Sequence, residues 1–232
     1  MKNKKVLVIL GGTSGERTVS LDSGRACVRA LKKKGYKVST FDPKKKHFSL
    51  IDKNKTDIIF NALHGKDGED GVAQSYFEYL RIPYTHSGVV SSYNAMNKLI
   101  SKKIFKQNKI HSPNYFTLKK EDFNKVNLKK LIKLKKIKFP IVVKPINEGS
   151  SIGVKICKNF NSLSNNLKLL FKSYIELIFE PFIGGQEIQV AVINGLPLGA
   201  IELKPKRLFY DYKAKYSKAA KTKHVMPANL KK

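Results

Sequence analysis

The chain has 232 residues, 41% of them hydrophobic, and a formal charge of +29. That hydrophobic content supports a packed core and excludes global disorder, and the length suits one large or two small domains at about 100–200 residues each. No apolar run approaches the roughly 20 residues that a membrane-crossing helix needs, so no membrane association is expected. The charge would suit nucleic acid, whose phosphates reward Lys and Arg. Yet only five of the 46 basic residues are Arg (Arg17, Arg25, Arg29, Arg81 and Arg207), and Arg is the residue of bidentate base contacts. The lysines are spread along the chain, with one dense run from Lys129 to Lys138. Frequent Ile and Asn accompany them, and a bias toward A/T-rich codons explains all three. A solvated basic surface is expected, with no specific nucleic-acid function. The two cysteines, Cys27 and Cys157, lack metal spacing and read as reduced, buried side chains. Val6–Leu10, after the basic N-terminus, is too short for a signal core of about 7–15 residues. A cytoplasmic location is expected.

Lys5–Leu10 reads as a buried strand, Gly11–Thr18 as a loop, and Ser20–Lys34 as a helix through Leu21, Gly24, Val28 and Leu31. Gly35 stops it. Tyr36–Phe41 and Asp57–Leu63 read as further strands, and this β-loop-α-β order predicts a parallel, Rossmann-like start. Val72–Leu80 follows as a short helix. Ser92 is expected to cap a helix running to about Asn108, with Ala95, Leu99, Ile100 and Phe105 as its apolar stripe. Phe123–Lys136 contains another helix. The pattern then changes. Ile141–Lys144, Gly153–Cys157, Glu176–Glu180, Glu187–Ile193 and Leu198–Leu203 read as strands, with a helix near Leu163–Tyr174. Asn194-Gly195 signals an antiparallel hairpin. The expected fold class is therefore α/β followed by α+β: a Rossmann-like parallel-sheet domain, then a strand-rich module.

The loop from Lys144 to Gly153 sets a Lys at a strand end before two glycines and two serines. Gly lets backbone N–H groups approach a phosphate, Ser adds a hydroxyl donor, and Lys a point charge. It is not a P-loop, because the Lys precedes the glycines. Phosphate cradle and ordinary strand–turn–strand both remain open for it. Gly11-Gly12-Thr13-Ser14-Gly15-Glu16-Arg17 follows the first strand, where doubly wound sheets bind ligands. Glu16 there suits a substrate ammonium, or simply favours the helix dipole. His64-Gly65 with Gly68-Glu69-Asp70-Gly71 follows the third strand, and His64 suits a carboxylate. The spacing is not that of an EF-hand. Lys98, alone, reads as a surface Lys. Glu180 to Glu187 can read an adenine edge and a ribose, or be a plain hairpin. Tyr210 to Tyr216 suits a lid over an anionic ligand, or a mobile basic loop.

Taken in order, these segments resemble the D-alanine–D-alanine ligases of the ATP-grasp superfamily. The match runs through Gly11–Arg17 with Val19-Ser20-Leu21, Ala62–Gly65 with Gly68–Gly71, Tyr84-Thr85 with Ser87-Gly88, and Asn97-Lys98-Leu99. It continues through Val143-Lys144-Pro145, Glu148–Ser151, Phe209–Tyr216 and Pro227-Ala228. The resemblance implies ATP-dependent joining of two D-alanine molecules for peptidoglycan precursor synthesis. Under it, Glu16 and His64 hold the first D-alanine by its ammonium and carboxylate. Lys98 and Lys144 hold ATP phosphates with Ser151. Glu180, Ile183 and Glu187 line the adenine and ribose site, and Tyr210 and Lys215 close over the nucleotide. Glu16, Ser150 and Tyr216 form a hydrogen-bonded catalytic link, and Tyr216 is as in dipeptide-forming members.

Family members continue into a region that carries Asp, Glu and Asn metal ligands. After Glu187 this chain has only two acids, Glu202 and Asp211. The resemblance thus implies an incomplete ATP-grasp domain, Mg²⁺ or Mn²⁺ ligands beyond residue 232, and no ligation by residues 1–232 alone. The implied segments are 1–92 for the first substrate, 93–186 for the central ATP-grasp part and 187–232 for the start of the last part. Asn147 and Gln186 depart from the family pattern at nucleotide contacts. A homodimer is implied by family analogy alone. Another ATP-grasp carboxylate–amine ligase is the nearest alternative, and a basic nucleic-acid-binding protein the distant one.

Overall fold

The structure is a computed structural model and describes residues 3–230, the side chain of Lys218 excepted. It divides into two compact units. One is built from the chain up to His111 together with Asn147–Gly149, the other from Ser112–Ile146 and from Ser150 onward.

In the first unit, β1 (Lys5–Ile9) is followed by α1 (Arg17–Lys33), β2 (Lys37–Phe41), β3 (Ile58–Asn61), α2 (Val72–Tyr79), α3 (Val89–Met96) and α4 (Lys98–Gln107). The strands form a parallel sheet in the order β2-β1-β3, with Ile9 opposite both Phe41 and Asn61. Side chains alternate across a strand, so β1 feeds two cores. Val6, Val8 and Leu10 pack with Leu21, Val28 and Leu31 of α1. Leu7 and Ile9 pack with Phe41, Ile59, Ala73 and Phe77. Covering both faces of a parallel sheet is why Val6–Leu10 is apolar throughout rather than alternating. Gly35, at φ +87°, ends the first helix region as expected.

The docking of α1 is close enough to exclude a side chain. Ser20 and Gly24 are its fully covered residues. The Ser20 hydroxyl accepts from the Gly11 N–H at 2.9 Å and donates to the Ala62 carbonyl at 2.6 Å. It therefore ties the helix to the carboxyl ends of β1 and β3. One turn later, a β-carbon on Gly24 would lie 2.6 Å from Leu10 Cβ.

The loop after β1 is clamped from β2. Arg17 Nη1 and Nη2 donate to the two Asp42 oxygens at 3.0 and 2.7 Å. The N–H groups of Gly12 and Lys44 donate to Asp42 as well. The Arg17 hydrogen bonds, ahead of those backbone donors, outweigh burial and pull the Asp42 carboxyl down to about 2.

In the second unit, β4 (Phe116–Lys119), α5 (Leu128–Leu134), β5 (Ile141–Pro145), β6 (Lys155–Cys157), α6 (Phe160–Leu170) and β7 (Glu176–Pro181) come first. Their strands pair antiparallel in the order β4-β7-β5-β6. The two helices cover this sheet through Leu128, Ile132, Leu163 and Leu167 against Ile141, Val143, Leu177 and Phe179. β8 (Glu187–Ile193), β9 (Leu196–Lys204), α7 (Tyr212–Tyr216) and β10 (Lys223–Val225) follow, with a separate antiparallel sheet in the order β10-β9-β8. Asn194 and Gly195, at φ +50° and +77°, turn β8 into β9, the geometry that a two-residue hairpin of primed type requires.

Four expectations need correction. Ser92 does not cap a helix. It is buried inside α3, its hydroxyl donating to the Ser87 carbonyl. The single helix expected to Asn108 is two, broken at extended Asn97, whose side chain accepts from the N–H groups of Leu99 and Ile100 and so caps α4. A cap competes with helix continuation at Asn because its short side chain satisfies the orphan donors. The strand β4 has no counterpart in the expected elements, and its partner β7 lies far along the chain. The expected loop Tyr210–Tyr216 contains α7, capped by Asp211. No helix among the described residues is long and apolar enough to cross a membrane.

Two stability changes follow. Gly24→Ala should gain up to about 1 kcal/mol of helix propensity but force Leu10 aside, and overpacking costs about 1–3 kcal/mol. A lower urea midpoint is expected, and a higher one would contradict this packing. Asp42 ionises below its ordinary value of 3.8 in the folded state, so its contribution is present above that pH and is lost as pH falls toward 2. Asp42→Asn should remove roughly 1–2 kcal/mol of that acid-dependent stability. The check is urea unfolding from pH 6 to pH 2, where wild type and variant should converge at the acid end.

Candidate active site

The glycine-rich segment after β1 brings Glu16 to the entrance of α1, as its N-cap residue. Its N–H donates to Ser14 Oγ, and its carbonyl accepts from the Ser20 N–H. Glu16 is only 2% exposed. Two glycines make room for its carboxylate. A β-carbon on Gly65 would stand 2.9 Å from Glu16 Oε2, and one on Gly149 would stand 3.2 Å away. Gly65 also has φ +68°, which side-chain-bearing residues rarely adopt. So Glu16 is enclosed by glycine backbone from two distant loops, a setting in which a carboxylate can face a small ammonium at short range.

His64 follows the end of β3. Ser14 Oγ donates to its carbonyl at 2.7 Å, fixing the backbone. Its ring lies between two groups. Nε2 is 3.2 Å from Ser23 Oγ on α1, and Nδ1 is 3.8 Å from Glu69 Oε1. The Gly65 N–H donates to Glu69 Oε2 at 2.7 Å, which holds the acid in place. Deeper in, Asn61 and Gln74 both donate side-chain N–H to the Gly68 carbonyl. Lys98 opens α4, and its ammonium donates to the Glu148 carbonyl. His64, Glu69, Lys98, Glu148 and Gly149 line one cavity of about 660 Å³ in this unit. An imidazole and an ammonium line this cavity, and the buried Glu16 carboxylate stands against Gly149, one of its lining residues, an arrangement that suits a zwitterion such as an amino acid.

In the second unit, Lys144 and Glu180 face each other from neighbouring strands, Nζ to Oε2 at 2.6 Å. Glu180 is buried. The loop between β5 and β6 joins an antiparallel pair, so the strand–turn–strand geometry is real. Ser150 and Ser151 nevertheless both take left-handed φ, +46° and +62°, and each hydroxyl has a partner in the chain. Ser150 Oγ and Tyr216 OH are 2.7 Å apart, and Ser151 Oγ donates to the Tyr210 carbonyl at 3.0 Å. Non-glycine residues held in this region carry strain and cluster at functional loops. The Lys215 ammonium lies 5.3 Å from the centre of the Tyr210 ring. Burial first, and the Glu187 charge second, push the Tyr210 hydroxyl up. Asp211 orders the segment by capping α7 and pairing with Arg207 at 2.7 Å.

Glu16, His64 and Lys98 therefore fall in the first unit, and Lys144, Ser150, Ser151, Glu180, Glu187, Tyr210, Lys215 and Tyr216 in the second. The Ser150–Tyr216 part of the expected link is a direct hydrogen bond. Ile183 is 66% exposed. Sequence reasoning missed Ser23 and Asp42. Nothing in a helical Ser signals a histidine partner, whereas Asp42 sits at a parallel-strand carboxyl end, the place where such sheets position functional groups.

A family model described as the D-ala D-ala ligase N-terminus matches residues 40–87, and one described as the D-ala D-ala ligase C-terminus matches residues 104–232. The chain is 55% identical to the D-alanine–D-alanine ligase of Pelagibacter ubique over 229 residues, 99% of this chain and 74% of that protein. It is 40% identical to that of Trichlorobacter lovleyi, across 99% of this chain and 71% of that one. The crystal structure of the D-alanine–D-alanine ligase from Bacillus anthracis superposes with a TM-score of 0.81 at 37% identity, over 98% of this chain and 73% of that chain. A structure of D-alanine–D-alanine ligase from Bacillus anthracis complexed with ATP gives 0.75 at 31% identity, over 98% of this chain and 72% of that chain. The fold, a parallel sheet with antiparallel sheets, is that of these ATP-grasp proteins. The chain belongs to the D-alanine–D-alanine ligase family.

Proposed function

We propose that the protein joins two D-alanine molecules in an ATP-dependent reaction, giving D-alanyl-D-alanine for peptidoglycan precursors. The observation that carries this reading is the enclosure of Glu16 by Gly65 and Gly149 in the same unit as the His64 cavity. Glu16 takes the ammonium of the first D-alanine, and His64 its carboxylate. That carboxylate oxygen attacks the γ-phosphorus of ATP, and ADP leaves. The amine of the second D-alanine then attacks the acyl carbon, phosphate leaves, and the amine loses a proton. Negative charge builds in both steps, so positioned cations and hydrogen-bond donors do most of the work. Lys98 and Lys144 are the cations proposed for the ATP phosphates. Ser151 is proposed beside them in the same glycine loop, and Ser150 with Tyr216 orders the adjoining segment. Glu180, Ile183 and Glu187 are proposed for the adenine and ribose, and Tyr210 with Lys215 for closure over the nucleotide.

Phosphoryl transfer from ATP employs Mg²⁺ or Mn²⁺ held by oxygen ligands. Among the described residues no three His, Cys, Asp or Glu gather to hold a metal ion. The described residues alone therefore do not complete a ligand set for such an ion. We also propose a cytoplasmic, homodimeric protein without specific nucleic-acid function. The need for ATP and the free thiols of Cys27 and Cys157 support the compartment, dispersed lysines support the last point, and family analogy alone supports the dimer. Working segments 1–92, 93–186 and 187–232 are supported by three separate sheets.

Titration calorimetry tests the substrate assignment without requiring turnover. D-alanine should bind and L-alanine should not compete. Glu16→Gln should weaken D-alanine at least tenfold, the scale of losing a charged hydrogen bond. Equal binding of the two enantiomers, or an unaffected Glu16→Gln variant, would refute the assignment.

A further inference from the structure

We propose that Ser23 is a positioning residue that fixes the His64 imidazole as its Nε2–H form and holds the ring edge-on to α1. This rests on the reading of His64 as the residue that receives the D-alanine carboxylate. A serine hydroxyl has one proton to donate and two lone pairs to accept with. Ser23 Oγ lies 2.9 Å from the Val19 carbonyl and 3.4 Å from the Ser20 carbonyl, both on its own helix. The Val19 carbonyl is the nearest acceptor and can only accept, so the hydroxyl proton goes to it in preference to His64 Nε2 at 3.2 Å, as is usual for a helical Ser bonding back to the preceding turn. The contact with His64 Nε2 at 3.2 Å can then be a hydrogen bond only if the imidazole donates. Nε2 carries the proton, and Nδ1, 3.8 Å from Glu69 Oε1 and so outside hydrogen-bond distance, is the nitrogen left to meet the D-alanine carboxylate, as an N–H of the imidazolium.

The support is rigid on both sides. Ser23 stands on the helix that Ser20 ties to β1 and β3, and the His64 backbone is held through its carbonyl by Ser14. Ser23, His64 and Glu69 line the same cavity. Such a partner sets both tautomer and ring orientation. Without it the neutral ring can rotate and exchange tautomers, and only a fraction of molecules then presents Nδ1 toward Glu69.

The test uses long-range proton–nitrogen NMR of the histidine rings near pH 8.5, above the ordinary imidazole range, without D-alanine. The His64 signals are assigned by their loss in His64→Gln. In wild type the neutral ring should show a protonated Nε2 and a bare Nδ1. Ser23→Ala should move both nitrogens toward averaged tautomer shifts and weaken D-alanine about fivefold, the scale of one lost hydrogen bond. Ser23→Thr, which keeps the hydroxyl, should restore both. Wild-type tautomer and affinity in Ser23→Ala would overturn the proposal, and so would an Nδ1–H ring in wild type. If His64→Gln leaves D-alanine affinity intact, the reading of His64 itself fails, and the positioning role with it. A Ser23→Ala effect on affinity that Thr does not rescue, with the tautomer unchanged, would mark a packing role and likewise overturn the proposal.

Discussion

One buried hydroxyl organises the first unit. Ser20 accepts from Gly11 and donates to Ala62, so the first turns of α1 are locked to two adjacent strand ends. Both backbone groups would otherwise be buried without partners, at a cost of about 1–3 kcal/mol each. The candidate D-alanine residues are reached from this point within a few bonds. Glu16 lies one turn before Ser20, Ser23 one turn after it, and His64 two residues beyond Ala62. The absence of a side chain at Gly24 lets the helix lie close enough for that hydroxyl to span both strands. Packing and chemistry therefore share one constraint, the separation between α1 and the sheet.

Charge is handled locally despite the large positive excess. Asp42 is held ionised by Arg17 and two backbone N–H groups, and it shapes the glycine turn that delivers Glu16. Glu69 is held by the Gly65 N–H and faces His64. Glu180 is buried against Lys144. With few acids among many lysines, each of these carboxylates has a specific partner.

Much of this architecture is legible from residue order. The unbroken apolar run Val6–Leu10 marks a strand covered on both faces, Gly35 marks a helix stop, and Asn194-Gly195 marks a primed hairpin turn. These signals are local, because φ preference and side-chain alternation act within a few residues. The break at Asn97 escapes such reading, since an Asn inside an apolar stripe is consistent with a continuing helix until its cap bonds are seen. Phe116–Lys119 escapes because a four-residue strand is defined by its partner, Glu176–Pro181, far along the chain. The site divides in the same way. Glu16 and His64 stand in loops after strands, where function is expected. The Ser23 contact depends on tertiary proximity that no spacing encodes, whereas Asp42 is marked by its place just after β2 but not by its partner Arg17. Glu180, proposed for the nucleotide, also pairs with Lys144, a contact that orders the very lysine proposed for the phosphates.

The central claim is that one zwitterionic amino acid is held between the Glu16 carboxylate and the His64 imidazole. A crystal structure of the protein soaked with D-alanine tests it most directly. The expected result is density for one D-alanine with its ammonium within hydrogen-bond distance of Glu16 and its carboxylate toward His64. D-alanine bound in the reverse orientation, or ordered elsewhere with Glu16 and His64 untouched, would contradict it.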